Sequence, residues 1–273
     1  MHDVTIAFIG RAVRYSPNSI EADRAILMAV YSRMRQDGFR CLEPVSEDCS
    51  VPLPEADIYV TMGRSEGVLR LLARQETERG VVVINSPQAI RQTTDRLLLA
   101  QRMEQSGIAM PPSVGDAGYW VKRGQGCSET ADDVVFAANR QEAERAAQQM
   151  LQRGLSAEIR AHVKGDLLKC YGVQGTNFCR HYYPTADGLT KFGQEQHNGQ
   201  PHYYSFDEEA LNRLLQRAAD AAGLDIYGAD CIIRPDGRAV LIDLNDWPSF
   251  RRCRDEAAEA IVRHIRERIE NGE

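Results

Sequence analysis

One stretch, YGADCIIRPDGRAVLIDLN at residues 227–245, restricts the fold more tightly than any other part of the chain. Two apolar runs, residues 227–234 and 238–244, flank Pro235-Asp236-Gly237, a tripeptide with turn chemistry. The spacing predicts two antiparallel strands joined by a tight turn. Residues i and i+2 of a strand share a face, so Asp243 and Asn245 converge, and pairing across the turn brings Asp230 toward them. Ile242 and Leu244 then point the other way, into a core. A carboxylate between core neighbours is costly without compensation. Two carboxylates and an amide oxygen make an oxygen-only set of the kind that Mg2+ or Mn2+ selects, with phosphate and water completing it. Read from this stretch alone, an ordinary half-exposed strand fits equally well, with Asp243 and Asn245 in solvent and Asp230 a structural or surface aspartate.

The rest of the chain shows what surrounds such a hairpin. An apolar β-rich run at residues 4–9, a helical pattern at 20–36, a run at 57–62, a helix to about 79 and VVVI at 81–84 alternate as in an open α/β sheet. Two short helices follow, at 87–92 and 94–106, ended by Met110-Pro111-Pro112-Ser113. Strands are expected at 119–122 and 133–138, a helix at 140–153, several strands over 156–183, a helix at 206–223 and a last helix at 255–271. The polar stretch 189–204 reads as a mobile loop or an ordered substrate loop.

Charge and cysteine usage exclude some classes. A net charge of −6 argues against nucleic acid held by bulk electrostatics. No apolar run is long enough for a membrane span, and the first ten residues lack the charged flank and cleavage site of a signal peptide. Seven scattered cysteines without a CxxC pair suggest neither a zinc knuckle nor a disulfide framework, and fit reduced thiols in a cytoplasmic protein. His162, His181, His197 and His202 are too irregularly spaced for zinc, and Cys127-Ser128 has no base at a readable spacing.

Nucleotide phosphates need cations and close backbone N–H groups. Lys122 ends the strand YWVK directly before Gly124 and Gly126, which permit such an approach, although KRGQG is not a Walker A loop. Arg96 opens a helix after Thr93-Thr94-Asp95. Taken singly, each of these cations reads as a solvated surface residue.

In order and together, four segments resemble the ATP-grasp superfamily over roughly residues 81–250. NSPQAIRQTTDRLLLAQRMEQSGIAMPPS resembles its Asn, Asp-Lys and Gly-Ile-Pro-x-Pro entry helices. YWVKRGQG resembles its Val-Lys-Pro strand and glycine loop, and AEIRAHVKGDLLKCYGV its hinge strand and Ile-x-Gly-x-acid turn. YGADCIIRPDGRAVLIDLNDWP resembles its metal-binding strands, Gly-x-Asp through Glu-x-Asn-x-x-Pro. The resemblance implies an α/β N-terminal domain, residues 1–92, followed by a two-lobed α+β ATP-grasp domain with lobes at 93–155 and 156–273. It implies that ATP lies between the lobes. Lys122 and Arg96, with Gly124 and Gly126, would meet phosphate. Glu158, Arg160, Ala161, His162 and Val163 would form the adenine hinge, and Asp230, Asp243 and Asn245 would hold the metal. Three departures stand out: Arg96 replaces the family lysine, Asp243 the usual glutamate, and Pro248-Ser249 the usual Pro-Gly.

Most members of the superfamily join a carboxylate to an amine or thiol through an acyl phosphate, and that is the leading expectation. A smaller branch phosphorylates inositol phosphates. Asp95-Arg96, the Asp243/Asn245 pair and Lys169 are similar to that branch, so a kinase of a phosphorylated polyol is the alternative. Arg96 in place of lysine also admits a nucleotide-binding regulator without turnover. Arg11, Arg14 and Arg64 fall beyond strand carboxyl ends, where ligands of open α/β sheets bind. With Lys169, Arg180 and Arg251 they suggest an anionic small-molecule acceptor. Related enzymes often pair as homodimers, and no segment localises an interface.

Overall fold

A computed structural model of the chain describes residues 4–48, 52–126, 130–184 and 197–271. The first part is a parallel sheet. Strand β1 (Thr5–Gly10) lies between β4 (Ile58–Thr61) and two short strands, β2 (Arg40–Cys41) and β3 (Val45–Ser46), and β5 (Val82–Ile84) closes the far edge. The two-residue strands β2 and β3 were not foreseen, since they are too short to carry a periodicity. Helix α1 (Ile20–Gln36) covers one face and α2 (Glu66–Arg79) accompanies β5. Central strands buried on both faces account for the unbroken apolar runs.

Helices α3 (Pro87–Thr94) and α4 (Arg96–Gln105) follow, and both are capped by their sequence. The Ser86 hydroxyl accepts the Ala89 N–H at 3.2 Å, with Pro87 in the first turn. The Asp95 carboxylate accepts the N–H groups of Leu97 and Leu98 at 3.0 and 3.1 Å. Asp95 is therefore a helix cap, and its capping fixes Arg96 at the first helical position.

A small antiparallel sheet comes next, in the order β7 (Val134–Ala137), β6 (Tyr119–Arg123), β8 (Ala157–Ala161), backed by α5 (Arg140–Gln152). A larger antiparallel sheet follows, in the order β10 (Cys179–Tyr182), β9 (Asp166–Val173), β11 (Ile226–Ile233), β12 (Ala239–Asp246). Helix α6 (Glu208–Ala222) packs on it, with α3 and α4, over a core containing Leu168, Cys170, Leu215, Cys231, Leu241 and Leu244. The turn into β9 needs glycine: Gly165 has φ +153°, and a Cβ there would lie 2.2 Å from the Ile233 carbonyl oxygen.

The last helix, α7 (Arg254–Glu270), packs on α1, so the two ends of the chain share one core with Phe8, Ile26, Trp247, Phe250 and Ile261. Asn85 ties β5 to β11. Its side-chain oxygen accepts the N–H groups of Asp225 and Ile226, both at 2.8 Å, and its amide donates to the Ile226 carbonyl at 2.8 Å. No helix among the described residues is long and apolar enough to cross a membrane. Residues 189–196 of the stretch 189–204, and Cys127-Ser128, lie outside the described residues, which resume at His197.

Candidate functional site

The β11–β12 hairpin forms as its turn chemistry predicts and brings Asp230 to Asp243 and Asn245 as expected; beyond a register shift, Asp230 lies directly opposite Asp243 and Gly228 opposite Asn245. On its other side β11 places Asp230 opposite Lys169 and Gly228 opposite Tyr171. Lys169, Asp230 and Asp243 thus form one row across three strands, on the face away from the Leu168–Cys231–Leu244 core. Neighbouring strands lie about 4.8 Å apart, so the two carboxylates crowd each other and require positive charge nearby.

The hairpin departs from the expected alternation at one residue. The register slips between Asp230 and Cys231, so that Leu241, not Ile242, faces Cys231. The extra residue is Ile242, and a bulge turns an extra residue out of the ladder. Leu244 is buried in the core as expected, but Ile242 lines a cleft. The expectation that both point inward is corrected by this bulge. The Ile242 carbonyl accepts the Lys122 ammonium at 3.1 Å, bridging the large sheet to the small one.

The cleft, of about 330 Å3, lies between the two sheets. From the large sheet it takes Asp230, Asp243, Asn245, Lys169, Leu167 and Ile232. From the small sheet and its exit come Trp120, Lys122, Glu158, Arg160, Ala161 and His162, followed by Val163. Arg96, Gly126 and Arg64 complete the part that sequence reasoning singled out. Gly124 is not in the lining; its carbonyl accepts the Arg96 N–H at 2.7 Å and its N–H donates to Ser156 at 2.8 Å.

Arg96 binds the backbone of the glycine loop through Nη1, at 2.9 Å from the Arg123 carbonyl. Its Nη2 faces Asp243 Oδ2 at 3.7 Å. Its Nε is buried without a hydrogen-bond partner, a deficit of about 1–3 kcal/mol for a group of this kind. Burial opposes ionisation of Asp243, but Arg96, then Lys122, the Leu244 N–H and Arg64 overcome it and hold the carboxyl below its ordinary range. Asp243 is ionised and electrostatically gripped at neutral pH.

The backbone and side chains of residues 158–163, expected to form the hinge, are partly committed. The N–H groups of Ala161 and His162 donate to Pro112 and Gly118 carbonyls, both at 2.8 Å. Glu158 pairs with Arg160 at 2.9 Å, and Arg160 also reaches Glu104 at 2.9 Å. The Trp120 indole donates to His162 Nδ1 at 3.0 Å. Burial, then His197 and Lys164, push the His162 imidazole below its ordinary value, which keeps Nδ1 available as that acceptor.

Four of the expected acceptor contacts are engaged elsewhere. Arg11, with its side chain 5% exposed, bonds Asp23 at 3.1 Å, the Trp247 carbonyl at 2.9 Å and Asp246 at 3.4 Å. Arg14 pairs with Asp48 on the surface, and Arg180 with Glu256. Arg251 donates to Ser19 Oγ at 3.0 Å and to the Asn18 carbonyl. None of the four is in the cleft lining, whereas Arg64 and Lys169 are. Sequence reasoning missed Trp120, Leu167 and Asp246. Asp246 had a readable signal, an acid at the end of a buried strand; the other two look like ordinary core residues.

The donor set fits a hard divalent cation. Among the described residues no three His, Cys, Asp or Glu side chains assemble into a metal cluster. The protein's share would therefore be two carboxylates and the Asn245 amide oxygen, with phosphate and water supplying the rest. The unpartnered Arg96 Nε and the cations around Asp243 fit a phosphate chain in the same place.

Two antiparallel sheets closing on a carboxylate-bearing ladder, preceded by a parallel α/β sheet, define the ATP-grasp fold. D-alanyl-alanine synthetase A from Vibrio cholerae has this architecture at TM-score 0.68 and 10% identity, over 99% of this chain and 100% of that one. The ATP complex of D-alanine–D-alanine ligase from Bacillus anthracis superposes at TM-score 0.66 and 11% identity, over 99% and 100%. An ATP-grasp RimK domain protein from Sphaerobacter thermophilus does so at 0.62 and 14%, over 96% and 99%. The chain is similar to these proteins in fold. No protein-family profile and no curated protein matches its sequence.

Proposed function

We propose that this protein uses Mg-ATP to activate the carboxylate of an anionic small molecule and to join it to an amine or thiol. The observation that carries this reading is the Asp230–Asp243 pair on the cleft face, with Arg96 and Lys122 converging on Asp243. The solved structures of similar fold include two ligases that join D-alanine, one of them bound to ATP.

In this reading Leu167, Ile232 and Ile242 offer apolar surface to the nucleotide base, and residues 158–163 border its edge. Arg96 and Lys122 hold the phosphate chain. Asp230, Asp243 and Asn245 would hold Mg2+, which would supply charge neutralisation at the transferring phosphoryl group. An acceptor carboxylate oxygen attacks the γ-phosphorus of ATP, and the bond to the β–γ bridging oxygen breaks, leaving ADP. The amine or thiol then attacks the acyl carbon of the acyl phosphate, losing its proton, and inorganic phosphate leaves with the electrons of the C–O bond. Fixed cations at the phosphoryl group favour the charge distribution of the first step.

The test follows label from γ-labelled ATP in the presence of Mg2+ and a pool of small metabolites, with wild type and Asp243→Asn. Metabolite-dependent label in free phosphate, lost in the variant, supports the ligase. Label retained in a new organic phosphate makes the protein a kinase, the alternative that Lys169 beside Asp230 favours. Nucleotide binding with no metabolite-dependent release leaves a regulator.

A further inference from the structure

Arg64, just beyond the carboxyl end of β4, is held at both its backbone and its guanidinium. Its N–H and that of Ser65 donate to Glu47 Oε2 at 2.8 and 2.6 Å. The other oxygen of Glu47 takes the Ala12 N–H at 2.6 Å, so one carboxylate, 6% exposed, ties together the turns after β1 and β4. At the far end, Arg64 Nε donates to Asp246 Oδ2 at 3.2 Å, and Nη2 donates to the Asp246 carbonyl at 3.3 Å and to Oδ1. Asp246 is 1% exposed and directly follows Asn245.

Arg11 and Arg64 share this aspartate, and their fates differ. Arg11 spends its donors on Asp23, Asp246 and the carbonyls of Met62 and Trp247, and stays out of the cleft. Arg64 reaches the cleft lining, in the same cleft as Asn245 and Asp243. Removing such charges from water is unfavourable, and an apolar cluster would join the same two turns at no such cost. What the network adds is a guanidinium whose position is fixed in advance. An exposed arginine carries about 2 kcal/mol of side-chain entropy that a ligand must otherwise overcome. Binding and catalytic groups work best when neighbours lock them in this way.

We propose that Arg64 recognises the anionic group of the acceptor, a carboxylate or phosphate, and that Asp246 is the positioning residue that aims it. Asp246 also couples acceptor recognition to the strand that carries Asp243 and Asn245, because it belongs to that strand. The proposal rests on reading the cleft as a Mg-ATP site, and it assigns the β4 side of that cleft to the acceptor.

Two titrations test it on wild type, Arg64→Gln, Arg64→Lys, Asp246→Asn and Arg14→Gln. The first measures the Kd of a non-hydrolysable ATP analogue with Mg2+. The second, at saturating analogue, measures the Kd of inorganic phosphate and, separately, of succinate. The analogue should bind all five proteins within about twofold, since Arg64 serves the acceptor. At least one probe should bind wild type and Arg14→Gln alike, and about tenfold more weakly to Arg64→Gln, as for loss of a charge-assisted contact. Arg64→Lys should recover part of that loss, because it keeps the charge without the fork. Asp246→Asn should weaken the same probe with the analogue Kd unchanged, an outcome that a merely structural aspartate would not give. Succinate binding alone assigns a carboxylate acceptor, and phosphate binding alone a phosphorylated one. The proposal is overturned if neither probe binds the wild-type complex, or if Arg64→Gln binds both as wild type does. If Asp246→Asn fails to fold, the Arg64 variants still decide the matter. Loss of analogue binding in wild type itself would count against the Mg-ATP reading, a separate result.

Discussion

The two walls of the cleft are both antiparallel sheets, yet they are built differently. The wall with Asp230, Asp243 and Asn245 is the four-stranded sheet, backed by the large cluster of Leu168, Leu215, Leu241, Leu244 and their neighbours. The wall with Lys122 is three-stranded, and only a small cluster around Val121, Ala143 and Met150 lies under it. The acidic groups, which repel each other and must be held, sit on the heavily backed wall. The long flexible cation sits on the lighter one and crosses to the Ile242 carbonyl. The site places its geometric demand where the packing is deepest.

Substitutions sharpen that contrast. Leu244→Ala, behind Asp243 and fully buried, should cost about 3 kcal/mol in chemical denaturation. Val121→Ala, behind Lys122, is expected to cost about 1 kcal/mol, because less is removed and less lies beneath. Equal losses would dissolve the distinction between the walls. Lys122→Met should leave stability nearly unchanged and weaken Mg-ATP binding about tenfold in a direct titration, as a lost charge-assisted contact does. A smaller effect concerns pH. The His162 imidazole is depressed in the fold, so the unfolded chain takes up its proton first. Its neutral form contributes stability that is present above about pH 6.5, the ordinary value, and is lost as pH falls through the folded value. Replacing His162 by Gln should flatten the stability profile between neutrality and mild acid, read by denaturation at each pH.

How much of this was legible depends on the distance over which each feature is decided. That the two strands pair and bring Asp230 near Asp243 could be read because Pro235-Asp236-Gly237 is a local turn signal, although the register set at that turn, with Cys231 opposite Leu241, would by itself put Ile242 opposite Asp230. The bulge at Ile242 could not: it depends on β11 keeping an unbroken register with β9 while slipping against β12. The strands and helices of the parallel sheet were readable from runs and caps, whereas β2 and β3 exist only because β1 offers an edge. The rim arginines were equivalent in sequence. Asp246 separates them, 235 residues from Arg11 and 182 from Arg64, a span over which no local pattern carries information. Glu47 likewise gave no signal, since its partners are backbone N–H groups.

The most direct measurement is a calorimetric titration of ATP, with and without Mg2+, into wild type and Asp243→Asn. With the metal held by the β11–β12 carboxylates, wild type binds ATP more tightly in the presence of Mg2+. The variant keeps its fold but loses one anionic oxygen donor, and with it most of that Mg2+ dependence. A variant that retains the full Mg2+ enhancement would contradict the assignment of these carboxylates to the metal, and so the reading of the cleft as a Mg-ATP site.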